Sequence, residues 1–206
     1  MRNLVYFILL FIPVSGFSQP IEDTSYFEFL KSPLSKECLS QLDSSQISEL
    51  LTANIVIANN HRVSLERKQG GSLVIDPFGL CNEYRSISMH YLNSSDNEYM
   101  FVYRRYSEAK EKYGELQLYG KKDGKWTFGK IINFNWQHFF SISDEEIDRL
   151  KNLNQYPNYL VTFKPTGIEF TIPWELYSFD QGSEVNGYVK GNGSQPILLS
   201  YENLLR

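Results

Sequence analysis

The chain has 206 residues, with 20 Lys and Arg side chains against 24 Asp and Glu and an aromatic content of 15%. That composition supplies enough apolar mass for a packed core and excludes fibrous, collagenous and disordered classes. A formal net charge of −4 argues against an extended phosphate-binding face, so nucleic acid is not an expected partner.

At the amino terminus Arg2 gives a short positive start, Leu4 to Val14 (LVYFILLFIPV) is an uncharged apolar run, and Ser15-Gly16-Phe17-Ser18 places small residues where a signal peptidase reads. The pattern predicts a secretory signal over residues 1–18, cut before Gln19. As a membrane anchor the run falls short of the roughly 20 apolar residues that a hydrocarbon layer of about 30 Å requires. No Cys lies beside the cleavage point to take a lipid. Residues 19–206 are then expected to form a single exported domain, periplasmic or extracellular, with no stable membrane span. In an oxidising compartment Cys38 and Cys81, the only cysteines, can close a disulfide bridge. Such a bridge restrains the unfolded chain by roughly 4 kcal/mol. Two separate buried thiols are the alternative.

Ile21 to Lys31 is a mixed acidic and aromatic stretch that Pro33 interrupts. Between Ser35 and Ile55, Leu39, Leu42, Ile47, Leu50 and Leu51 fall at helical spacing on either side of Asp43-Ser44-Ser45, which predicts two short helices packed on a sheet. From Asn54 to Ile132 the period moves towards two. Val63 and Leu65 alternate with polar neighbours, Leu73-Val74-Ile75 stop at Asp76-Pro77, and Ile87, Met89 and Tyr91 share one face. Tyr84–Leu92 and Tyr99–Tyr106 flank a turn-rich Asn93–Asn97, and Glu115–Tyr119 and Lys125–Ile132 flank Lys121-Lys122-Asp123-Gly124. Asp-Gly supplies the positive φ of a tight hairpin, so two consecutive hairpins predict an antiparallel sheet.

Ser143-Asp144-Glu145-Glu146 is a capping box ahead of Ile147, Leu150 and Leu153, predicting a helix that ends near Asn154. Tyr159-Val161-Phe163 and Ile168-Phe170-Ile172 alternate around Lys164-Pro165-Thr166-Gly167, a third hairpin, and Pro173 ends its second strand or places it at an edge. Ser183–Gln195 carries Gly187, Gly191 and Gly193 and reads as a long loop before a last strand, Ile197–Leu199. With no repeat, coiled coil or Pro-rich linker, the predicted fold class is α+β: an antiparallel sheet built of consecutive hairpins with a few short helices packed on it.

No motif announces a reaction or a cofactor. His61, His90 and His138 are isolated from one another and from ligand-like arrays, so no metal site is expected, and surface or satisfied polar positions account for them. Arg104-Arg105 and Lys121-Lys122 read as solvated strand and turn ends. There is no Gly-x-Ser-x-Gly elbow, and the glycines from 187 to 193 open no helix that could cradle a phosphate. Glu169 with Glu175 is one of many possible carboxylate pairs for glycoside chemistry. The sequons at Asn93 and Asn192 matter only in a glycosylating host. One cluster stands out: Trp174, Tyr177, Phe179 and Tyr188 gather around the Gly-rich loop with Glu175, Asp180 and Glu184 beside them. Aromatics with one wet end and interleaved acids suit a recognition surface for a basic protein or a sugar polymer, and core packing is the competing account.

The carboxyl-terminal third has a likeness. Gly167-Ile168-Glu169-Phe170, Trp174-Glu175-Leu176, Phe179, Gly182 and then Leu199-Ser200-Tyr201 and Leu204 resemble the closing stretch of a bacterial extracytoplasmic domain family. That family includes the lysozyme-sensing ectodomain of an anti-sigma factor and regions found beside polysaccharide deacetylases. The likeness covers about residues 140–205, and Ser200 stands where the family pattern carries a proline. It implies an α+β module outside the cytoplasm that binds a protein such as lysozyme or a wall polymer. The expected function is therefore a non-enzymatic exported binding module, its partner a basic extracellular protein or peptidoglycan, with Trp174–Tyr188 as its surface. The alternatives are a carbohydrate-active hydrolase with paired carboxylates and a periplasmic immunity or structural envelope protein.

Overall fold

The computed structural model describes residues 21–35, 39–94, 97–107, 114–133, 159–171 and 196–206. The predicted signal segment, Cys38, the helix expected after Ser143 and the Gly-rich loop lie outside these residues. The described elements are α1 (Ile21–Lys31), α2 (Ser44–Ala53), β1 (Ile55–Ala58), β2 (His61–Arg67), β3 (Leu73–Asp76), β4 (Tyr84–Ser94), β5 (Asn97–Tyr106), β6 (Gly114–Lys122), β7 (Lys125–Ile132), β8 (Leu160–Lys164), β9 (Gly167–Thr171), β10 (Ile197–Ser200) and α3 (Tyr201–Leu205).

Strands β1 to β7 form one antiparallel sheet in strict chain order, so the α+β reading and the consecutive hairpins hold. The turns explain the meander. Asp123 and Gly124 sit at φ 51° and 73° between β6 and β7, as the Asp-Gly pair led one to expect. Asn59 and Asn60 do the same at φ 50° and 64° between β1 and β2, adding a hairpin ahead of the expected ones. Asn is among the few residues that tolerate this region, because its short amide bonds locally. The third hairpin, β8 to β9, is present, and β10 pairs with β9. These three strands form a second sheet in the order β10-β9-β8.

The helical region departs from expectation at two points. Ile21–Lys31 is a helix, because Tyr26, Phe29 and Leu30 fall on one stripe and are buried. An aromatic stripe with an acidic opposite face is harder to recognise than an aliphatic one. Leu39–Gln41 is only a 3-10 turn, so one full helix rather than two occupies the next stretch. That helix is capped by Asp43: the Asp43 carboxylate accepts from Gln46 N at 2.8 Å, and Gln46 Oε1 accepts from Asp43 N at 3.0 Å. Two otherwise orphan N–H groups are satisfied at once, which is why the helix starts there.

The large sheet is covered on both faces. Helices α1 and α2 bring Tyr26, Phe29, Leu30, Ile47, Leu50 and Leu51 onto Ile87, Met89, Met100 and Val102. On the other face Phe101, Tyr103, Leu116 and Leu118 meet Tyr159, Val161, Phe163, Ile168 and Phe170 of the small sheet with Tyr201 and Leu204 of α3. Period-two alternation sends successive β5 residues to opposite cores, so Met100 to Arg104 are all buried. Tyr103 donates its hydroxyl to Tyr159 O at 2.7 Å, and Tyr159 to Ile132 O at 3.2 Å, so the interlayer phenols are paired. Burial first, then the Glu115 charge, pushes the Tyr159 pKa up to about 12. Gly167 lets β9 approach β10, for a Cβ there would lie 2.1 Å from Leu199 O. Ser200, one residue beyond the expected strand, ends β10 and also caps α3 by accepting from Asn203 N at 3.3 Å.

Two polar readings are also corrected. Lys121 is no solvated turn end: it pairs with Glu28 of α1 at 2.8 Å and Glu98 of β5 at 3.1 Å, above the Trp126 ring. Burial lowers its pKa, but the two carboxylates more than offset this and the net shift is upward. Ser25 and Tyr91 both donate to Glu98, so this group ties α1 to the sheet. His90 is not on the surface. It is 6% exposed, it stacks on Phe163 and Tyr201 with ring centroids 5.5 and 4.9 Å away, and its Nδ1 has no hydrogen-bond partner.

Burial holds the His90 pKa down, from 6.5 to about 4. Between those values the unfolded chain takes up a proton that the folded protein refuses, so the stabilisation is complete above the upper pH and is lost on acidification through the lower one. The full effect is about 3 kcal/mol. Urea midpoints followed across that window are therefore expected to fall more steeply for the native chain than for His90→Phe, and parallel curves would contradict the assignment.

Candidate functional site

On the helix-bearing face of the large sheet, beside α1, whose Phe29 packs on Tyr119, a cleft of about 340 Å³ crosses β4 to β7. Period two builds it. Arg104 and Tyr106 follow Met100 and Val102 on one face of β5, and register places Glu115 opposite Arg104, Gln117 opposite Val102 and Tyr119 opposite Met100 on β6. Tyr84 arrives from β4 opposite Tyr106, and Phe128 from β7 opposite Tyr119. Leu34 and Glu83 complete the lining.

The cleft has two aromatic walls and a polar floor. Tyr84 and Tyr106 lie 5.4 Å apart on one side, and Tyr119 and Phe128 meet edge to face at 5.7 Å on the other. Phe128 is 51% exposed although apolar, so it contributes an open ring face. Across the floor runs a chain of planar groups: Arg104 Nη1 donates to Gln117 Oε1, the Gln117 amide donates to Glu115, and the Tyr119 hydroxyl donates to Gln117 Oε1.

Arg104 corrects the expectation of a solvated strand end, being 7% exposed. Its guanidinium also donates to Leu34 O at 3.3 Å and approaches the Tyr119 hydroxyl at 3.4 Å. Among the described residues no carboxylate lies within ion-pair distance of it, although Glu115 faces it across the strands. A desolvated guanidinium is thus held by neutral acceptors in one orientation, which is a positioned donor rather than a closed salt bridge.

The residues expected to form a recognition surface, Trp174, Glu175, Tyr177, Phe179, Asp180 and Tyr188, all lie outside the described residues, as does His138. Glu169 is engaged with Lys164 at 3.2 Å, while its suggested partner Glu175 is outside. Cys81 carries a free thiol, half-buried beside the helix-side core, and Cys38 is outside. Exposed His61 has its ring against the turn at Gly79, where an added Cβ would come within 2.3 Å of Nδ1. Among the described residues no group of three His, Cys, Asp or Glu side chains could hold a metal ion, and no helix is long and apolar enough to cross a membrane.

The cleft itself went unread in the sequence, yet a signal existed. Arg104 and Tyr106 continue the inward face of Met100 and Val102, and Glu115-x-Gln117-x-Tyr119 is a period-two run of polar and aromatic side chains. No protein-family model, no curated protein and no solved structure matches the chain.

Removing the guanidinium while leaving its acceptors buried should cost about 2 kcal/mol, the scale of hydrogen bonds to a charged group. Arg104→Ala is expected to lower the chemical denaturation midpoint accordingly. A variant as stable as the native protein would mean that the floor of the cleft is not held as described.

Proposed function

We propose that the protein is an exported, non-catalytic binding module and that its ligand is a carbohydrate chain of the bacterial envelope, held in the cleft between Tyr84/Tyr106 and Tyr119/Phe128. The observation that carries this is the pairing of aromatic walls with a planar polar floor. Sugar rings present an apolar C–H face that packs on an aromatic ring, and adjacent hydroxyls that suit side-by-side donors and acceptors such as those of Arg104, Gln117 and Glu115. The floor groups are already bonded to one another, so little ordering is left for the ligand to impose. The family likeness of residues 140–205, with its wall-polymer and lysozyme associations, belongs to the same proposal, and the secretory signal would place the cleft where such polymers are.

A second reading, a carbohydrate-active hydrolase, is favoured by one observation: Glu83 and Glu115 line the same cleft, as an acid and a base must. The two readings part on turnover. Purified protein mixed with insoluble peptidoglycan should be retained without releasing reducing ends. Phe128→Ala, at a half-exposed edge position, should weaken retention about tenfold with an unchanged melting temperature, the scale of a lost aromatic anchor. Retention by lysozyme in place of peptidoglycan would move the partner to a basic protein. Release of reducing ends that disappears in Glu115→Gln would establish the hydrolase.

A further inference from the structure

A second cavity of about 340 Å³ lies at the seam between the two sheets, away from the aromatic cleft. It is bounded by the β2–β3 turn and by strand β8 with its following turn. These approach closely, for a Cβ on Gly70 would sit 3.3 Å from the Pro165 ring. The β2–β3 turn is braced from within, by Lys68 N donating to Ser72 O at 2.8 Å and Gly71 N to Lys68 O at 3.2 Å.

Val74, Val161, Phe163 and Pro165 give the lining an apolar part, and its charged groups are of one sign. Lys68 and Lys164 stand at it, Gln69 and Thr162 contribute further polar groups, and among the described residues no carboxylate lines it. That contrasts with a chain whose net charge is −4. Deeper in the same lining, Ser72 is 2% and Ser88 9% exposed. Among the described residues neither serine hydroxyl has a hydrogen-bond partner, and neither is sealed off from the cavity. Both hydroxyls open on the cavity and are not used by the protein, so they are free to donate to whatever occupies it. Each lysine pairs outside the cavity, Lys68 with Glu66 and Lys164 with Glu169. Pairs as exposed as these contribute little and exchange readily for another anion.

We propose that this seam cavity is a binding site for a phosphate group, with Lys68 and Lys164 supplying the opposing charge and the Ser72 and Ser88 hydroxyls donating to the phosphoryl oxygens. The volume corresponds to about ten waters at roughly 30 Å³ each, which leaves room for the alcohol portion of a phosphomonoester or one unit of a phosphodiester chain. Two cations with hydroxyl donors fit a tetrahedral oxyanion, whose oxygens accept from several directions at once.

Calorimetric titration of the purified full chain with glycerol 3-phosphate, glycerophosphoglycerol and glycerol tests the site. Both phosphate esters, or one of them, are expected to bind saturably and glycerol not at all; a preference for the monoester points to a soluble ligand and for the diester to a polymer. Lys68→Gln and Lys164→Gln are each expected to weaken binding about tenfold, the scale of a charge-assisted hydrogen bond, and added salt to weaken it further. Ser72→Ala and Ser88→Ala remove hydroxyls that bond to nothing within the protein, so they are expected to reduce affinity without lowering the melting temperature. No binding of either ester at millimolar concentration, or binding unchanged in the Lys68→Gln/Lys164→Gln double variant, would overturn the assignment.

Discussion

Burial of β5 on both faces constrains everything else in the molecule. Its side chains alternate between the helix-side core and the core shared with the small sheet, so neither face can be left to water without stranding Met100 and Val102 or Phe101 and Tyr103. Each such side chain contributes about 1.5–3 kcal/mol when fully buried, and the conformational entropy of ordering the chain opposes all of it. Covering one face would leave half of that burial unrealised. Both layers are therefore required, and the positions of α1, α2, β8, β9 and α3 follow from the need to cover the same central strands.

Where the cover stops, polar chemistry begins. The helix-side core extends to Tyr119 and Tyr84, and between these walls the sheet face holds the Arg104–Gln117–Glu115 floor. At the opposite end the Lys121, Glu28 and Glu98 group seals the same layer by pairing its charges, which is how ionic side chains are tolerated near a core. The two ends differ in purpose. Lys121 is closed by carboxylates, whereas Arg104 is held by neutral acceptors at an open cleft and keeps its charge available.

The seam between the sheets has a different character. Its interior is aromatic, with His90 stacked on Phe163 and Tyr201 and phenol hydroxyls bonded to backbone carbonyls. At its margin the two sheets diverge around the lysine and serine cavity. One molecule thus carries an aromatic, mixed-charge cleft on the large sheet and a purely basic cavity at the seam.

The local pattern alone was enough for the hairpins. Asp123-Gly124 and Lys164-Pro165-Thr166-Gly167 dictate their turns through backbone sterics that involve no distant residue, and the period-two runs beside them can only be strands. The α+β class followed from those runs and from the helical spacing of Ile47, Leu50 and Leu51. Capping was legible too, in the three-residue spacing of Asp43 and Gln46. What no local pattern contains is which face of a strand meets which layer. His90, Arg104 and Lys121 looked like surface residues because the side chains themselves are polar and nothing local supplies a partner, yet each is covered by elements far away in sequence: α3 and β8, the turn at Leu34, and α1. Burial and pairing are properties of the assembled layers. The environment of a charged side chain, and with it the two cavities, was decided only by tertiary structure.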